Sequence, residues 1–130
     1  MENNFKKAKD VADIPVVLID GLISVKEAVK IMKDNNTEVL VIEKRNEEDA
    51  HGILVLTDII RGVLSQNKSL EEVSVYEIMR KPIVTIPHYL NVKYVPRFLS
   101  NLGLFFAPVD ENGKYVGIIS LKNFLMNHYE

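Results

Sequence analysis

The sequence predicts a mixed α/β fold built by duplication: two β-α-β-β-α units, each a small sheet carrying two helices on one side. Three observations predict it. The chain matches itself over most of its length. Each copy alternates β-rich runs with helically spaced apolar positions. Finally, 130 residues divide into halves that are each marginal as independent cores.

Laid over each other without a gap, IPVVLIDGLISVKEAVKIM (14–32) and KPIVTIPHYLNVKYVPRFL (81–99) bring Pro15 onto Pro82, Val17 onto Val84, Ile19 onto Ile86 and Val25 onto Val92. The same overlay sets Val39–Glu43 on Phe106–Asp110. An insertion in the first copy then shifts the register, so that Gly52 meets Gly117, Leu54 meets Ile119 and Asp58 meets Asn123. On this basis residues 1–68 hold the first repeat with its N-terminal segment, and residues 69–130 hold the linker and the second repeat.

Each element follows from local chemistry. The β-rich runs Val16–Ile19 and Ile83–Ile86 predict the first strand of each copy. In the first copy Ser24 precedes Val25, Ala28, Val29 and Met32, and Glu27 stands where a capping box needs it, so a helix begins after Ser24. In the second copy Asn91 is the expected cap, and Pro96 falls inside the helix, which predicts a mild kink or a distorted first turn. Strands are predicted over 38–42 and 51–55, and over 104–109 and 115–120. Asn112-Gly113 signals a tight hairpin, whereas KRNEEDA (44–50) is a longer, charged and mobile connection. Helices over 58–64 and 122–127 close the copies. The linker 65–80 holds a further capping box, Ser74 with Glu77, and is expected to be structured.

Composition narrows the function classes. Net charge is −2 with both signs mixed, which gives non-specific nucleic-acid binding little support. There is no cysteine, so disulfides, thiolate nucleophiles and the common structural zinc sites are excluded. The polar start MENNFKKAKD has no signal-peptide core, and no apolar run approaches the ~20 residues of a membrane span. A cytoplasmic protein without membrane contact is expected. No Ser-His-Asp order, P-loop lysine or metal cluster is visible, and His51, His88 and His128 lack ligand spacing, so neither catalysis nor metal binding is expected.

Two segments occupy equivalent places, GILVLTD (52–58) and GIISLKN (117–123), and with EIMRKPIVTI (77–86) and APVD (107–110) they carry a resemblance. From about Val11 to His128 the chain resembles a tandem pair of CBS domains, named for cystathionine β-synthase. The resemblance implies two repeats with pseudo-twofold symmetry, sheets packed together and helices outside. It further implies a cleft between them that takes an adenine nucleotide (AMP, ADP or ATP) or S-adenosylmethionine, and a disk-shaped homodimer of such pairs.

Candidate ligand contacts follow. In the second copy a strand ends at Ser120 and a helix begins, so unpaired N–H groups could meet a phosphate, Ser120 could add its hydroxyl, and Asn123 could offer its carbonyl to a ribose. Gly117 would permit close approach of the ligand. Equally, Ser120 is an ordinary helix cap and Asn123 a solvated residue. In the first copy Asp58 is present but Val55 replaces the hydroxyl; Thr57 could cap the helix, and Arg61 could pair with Asp58 at i, i+3 or reach a phosphate. The resemblance places the first strands near the base, which adds Val17, Leu18 and Ile19, and Val84, Thr85 and Ile86, with core packing as the alternative. His88 lies in the following loop, and Arg80 and Lys81 could steer anions or simply be solvated.

Two function classes result. One is a regulatory ligand-sensing module that signals to an effector protein by conformational or oligomeric change. The other is a ligand-free dimerisation or interaction module whose two nucleotide sites have degenerated.

Overall fold

The computed structural model describes residues 5–129. The chain forms two compact units. The first, Val17–Ile83, contains β1 (Leu18–Ile19), α1 (Val25–Asn35), β2 (Val39–Ile42), β3 (Gly52–Val55) and α2 (Leu56–Gly62). The second comprises residues 5–16 and 84–129, with β4 (Ile86–Pro87), α3 (Val95–Asn101), β5 (Phe106–Glu111), β6 (Lys114–Ser120) and α4 (Leu121–Asn127). Both follow the predicted β-α-β-β-α order.

The sheets share one topology. β1 runs parallel to β2 and β2 antiparallel to β3; β4, β5 and β6 repeat this arrangement. The first strands are shorter than predicted, with only Leu18–Val41 and Ile19–Ile42 paired in one unit and Ile86–Val109 and Pro87–Asp110 in the other. These are edge strands, where proline is tolerated because one side of the backbone needs no partner.

Local chemistry sets the turns. The Ser24 hydroxyl accepts the Glu27 N–H at 3.1 Å, and α1 ends at Asn36 in the left-handed conformation, φ 51°. Asn112 and Gly113 both have positive φ, 55° and 87°, as a two-residue hairpin turn matched to strand twist requires. The Asn91 side chain accepts the Lys93 N–H, but the turn it starts, Val92–Tyr94, is 3-10. The α-helix proper begins at Val95, so Pro96 sits in its first turn, where a missing N–H is harmless. The expected distortion is therefore a tightened entry turn.

Each unit has its own core. In the first, Ile19, Val25, Ala28, Met32, Leu40, Leu54 and Ile59 pack with Val73 and Val75 from the linker. In the second, Ile86, Val95, Leu99, Val109, Ile119 and Phe124 pack with Ala8 and Val11 from the N-terminal segment. The compact units thus differ from the repeat boundaries drawn on the sequence: linker residues before Val84 complete the first unit, and N-terminal residues complete the second.

Backbone pairing fixes this exchange. Ile53 and Arg80 exchange both hydrogen bonds at 2.9 Å, and Ile14 and Ile118 exchange theirs at 3.2 and 2.8 Å. Glycine makes room on each third strand. A Cβ at Gly52 would lie 2.8 Å from Met79 Sδ and 3.2 Å from the Arg80 carbonyl. At Gly117 it would lie 2.4 Å from the Ala12 carbonyl oxygen. What approaches Gly117 in this structure is therefore the N-terminal backbone.

Gly117→Ala should destabilise the protein by about 2 kcal/mol, because backbone rather than a flexible side chain must yield. Gly103→Ala, at φ 70° with no atom within 4 Å of the new Cβ, should lose only the ~1 kcal/mol of left-handed strain. Urea denaturation of both variants checks the difference, and equal losses would contradict the clash.

Candidate functional site

The two strand-to-helix corners are equivalent in backbone and different in chemistry. In each, the first helical N–H reaches back across the sheet. Leu121 donates to the Phe105 carbonyl at 3.0 Å and Leu56 to the Glu38 carbonyl at 3.1 Å.

At the β6–α4 corner Ser120 is buried and caps α4, its hydroxyl accepting the Asn123 N–H at 3.2 Å. With Leu121 and Asn123 engaged, the Lys122 N–H is the first-turn donor left without a partner among the described residues. The corner therefore offers fewer free donors than expected. Asn123 is half-buried, and nothing among the described residues hydrogen-bonds its side-chain amide.

At the β3–α2 corner no hydroxyl caps the helix, because Val55 occupies the cap position. Asp58 compensates: its Oδ2 accepts the Val55 N–H at 3.0 Å. Its Oδ1 accepts Arg80 Nε–H at 3.0 Å, with the Asp58 side chain only 6% exposed. This corrects two expectations. Thr57 is exposed in the first turn and does not cap α2, and Arg61 is exposed and does not pair with Asp58. The pairing of Arg80 with Ile53 delivers a guanidinium to Asp58 from outside the helix, and a planar, always-charged group satisfies a buried carboxylate.

The remaining candidates scatter. Ile19 and Ile86 are core residues, so what they can offer outward is backbone. Thr85 is half-buried just ahead of β4, and Val17 packs against the first core. His88 lies in the turn directly after β4, as expected; its backbone N–H donates to the Asp110 carbonyl, and its Nδ1 stands 3.7 Å from Glu111, which also holds Lys9 at 3.2 Å. Arg80 and Lys81 are both engaged, by Asp58 and Asp49, so neither is a loose anion-steering charge.

The Arg80–Asp58 contact was missed by sequence reasoning, although a signal existed. The overlay that sets Pro15 on Pro82 also sets Asp13 on Arg80, opposite charges at one repeat position. Asp13 pairs instead with His128, beyond the end of α4. Among the described residues there is no group of three or more His, Cys, Asp or Glu able to hold a metal, and no helix long and apolar enough to cross a membrane.

Two units of one topology, each turning from its third strand into a short helix behind a G-x-x-x corner, define a tandem α/β repeat protein. The chain belongs to the CBS domain family, whose model matches residues 8–65 and 75–128. It is similar to the structure of a hexameric CBS-CP12 protein from bloom-forming cyanobacteria, with 36% identity, a TM-score of 0.87, and coverage of 93% of this chain and 70% of that one. It is also similar to the CBS domain pair of protein MJ0100 solved with 5′-methylthioadenosine and S-adenosyl-L-methionine: 27% identity, TM-score 0.78, 94% of each chain. Among curated proteins it matches an uncharacterised protein of Methanopyrus kandleri, 28% identical over 103 residues, which are 78% of this chain. The match spans about half of that relative, 52% of its length.

The KRNEEDA connection, expected to be mobile, is drawn together by Asp49, which accepts the Arg45 N–H at 2.9 Å and binds Lys81. The Lys81 hydrogen bond, aided by the Arg45 N–H, holds the Asp49 carboxyl well below the usual carboxylate range. A carboxyl whose pKa is lowered on folding contributes stability that is present above its unfolded pKa and lost as pH falls towards the folded value. The stability gap between wild type and Asp49→Asn should therefore narrow as pH drops from about 5 to about 2. Parallel stability curves through the acid range would contradict the contact.

Proposed function

We propose that this CBS pair is a regulatory, non-catalytic module that takes an adenosyl ligand, an adenine nucleotide or S-adenosylmethionine, and reports it to an effector protein by conformational or oligomeric change. The β6–α4 corner carries this reading. There Ser120 supplies a hydroxyl, and among the described residues nothing hydrogen-bonds the Lys122 N–H or the Asn123 side-chain amide, whose oxygen can accept from a ribose hydroxyl. The match to a CBS pair solved with two adenosyl compounds supports it. No cofactor is required. We place the protein in the cytoplasm as a homodimer.

A second reading is assembly without ligand. It is favoured by Val55, which removes a hydroxyl from one corner, and by Asn123, which removes a charge from the other. A neutral acceptor hydrogen-bonds a hydroxyl more weakly than a carboxylate does.

Thermal shift against AMP, ADP, ATP, GTP and S-adenosylmethionine separates the two. A ligand that binds only the native state adds about 2.7 kcal/mol at a hundredfold excess over its Kd, so one adenosyl compound should raise the melting temperature measurably. Ser120→Val should cut that increment to about half or less, even though its baseline is lower. No shift with any compound at millimolar concentration would favour assembly.

A further inference from the structure

We infer that Arg80 is a built-in stopper of the β3–α2 corner, so that each chain takes one adenosyl ligand, at the β6–α4 corner. The inference rests on the adenosyl reading above and assigns its stoichiometry and the residue that sets it. A sugar hydroxyl needs an acceptor it can reach. Asp58 retains spare lone pairs, but its side chain is 6% exposed, with one oxygen held by the Val55 N–H and the other by Arg80. To use Asp58, a ligand must displace the guanidinium and leave a charge without its partner.

The Arg80 backbone is fixed beside this corner: it exchanges both hydrogen bonds with Ile53, and its carbonyl and the Met79 sulfur crowd the place of a Cβ on Gly52. The guanidinium therefore starts from Asp58, and any ligand there competes with it. Among the described residues the second unit has no such stopper. The residue at the repeat position of Arg80 is Asp13, an anion that pairs with His128, and the Asn123 amide keeps its acceptor free. The hydroxyl distribution points the same way, with Ser120 at the open corner and Val55 at the closed one.

Isothermal titration with 5′-methylthioadenosine and with S-adenosylmethionine, on the full chain, tests this. Wild type should bind one molecule per chain. Asp58→Asn should leave that site in place, and Ser120→Val should weaken it by about tenfold or more, as expected for a lost hydrogen bond in a buried setting. Arg80→Ala should add a second site, about tenfold or more weaker than the first because Val55 still offers no hydroxyl. Backbone amide shifts of the wild-type protein give a reading independent of any variant's folding: ligand should move Ser120, Lys122 and Asn123 and leave Val55 and Asp58 unmoved. Two sites in wild type, ligand-induced shifts at Val55 and Asp58, or a single site in a folded Arg80→Ala protein would overturn the role of Arg80 while adenosyl binding stands. Uptake of neither compound, and of none of AMP, ADP and ATP titrated alongside them, by wild type or any variant would overturn the adenosyl reading itself, and the stoichiometry with it.

Discussion

The outer edges of β3 and β6 are closed by backbone that lies outside their own repeats, Arg80 on Ile53 and Ile14 on Ile118. An open strand edge invites pairing with another chain, and a short segment laid along it removes that hazard. The closure demands glycine at 52 and 117, because any side chain there would meet the incoming segment. It also decides which residues fill each core. Val73 and Val75 arrive in the first unit along the same linker as Arg80, and Ala8 and Val11 enter the second ahead of Ile14. The second unit is therefore assembled from two separate stretches of chain, and the first from one repeat plus the linker that follows it.

The same closure makes the duplicated corners unequal. Backbone geometry repeats faithfully, down to the matched reach-back bonds from Leu56 and Leu121. Side chains do not repeat. One corner joins a buried carboxylate, a guanidinium and a valine; the other joins a serine hydroxyl and an uncharged amide. A buried acid tied to an arginine is an internal contact first, since breaking it strands a charge away from water. An amide with an open acceptor costs little to engage. The two halves have thus kept the scaffold and divided its chemistry.

Much of this was legible in the sequence wherever the determinant is local. Ser24, Asn91, Pro96 and Asn112-Gly113 act through their own backbone conformation or a hydrogen bond to near neighbours, and each does what its residue type predicts. The duplication was legible too, because its pattern of apolar types survives low identity. The exchange of segments was not. The pairing of Ile14 with Ile118 joins the two ends of the chain, and nothing near either residue announces it. Asp58 shows the cost of reasoning locally. Helix spacing nominates Arg61 as its partner, but tertiary pairing brings Arg80 within 3.0 Å and Arg61 is left in solvent. Gly117 was recognised as a close-approach position, but the N-terminal backbone that approaches it was not foreseen.

Native-state amide hydrogen exchange, followed residue by residue, tests the edge closure most directly. The Ile14, Ile118, Ile53 and Arg80 amides should exchange as slowly as those in the centres of β2 and β5, since each donates into the sheet. Exchange at Ile14 and Arg80 as fast as in an unstructured chain would mean that the outside segments do not close the sheets, and the account of both corners would fail with them.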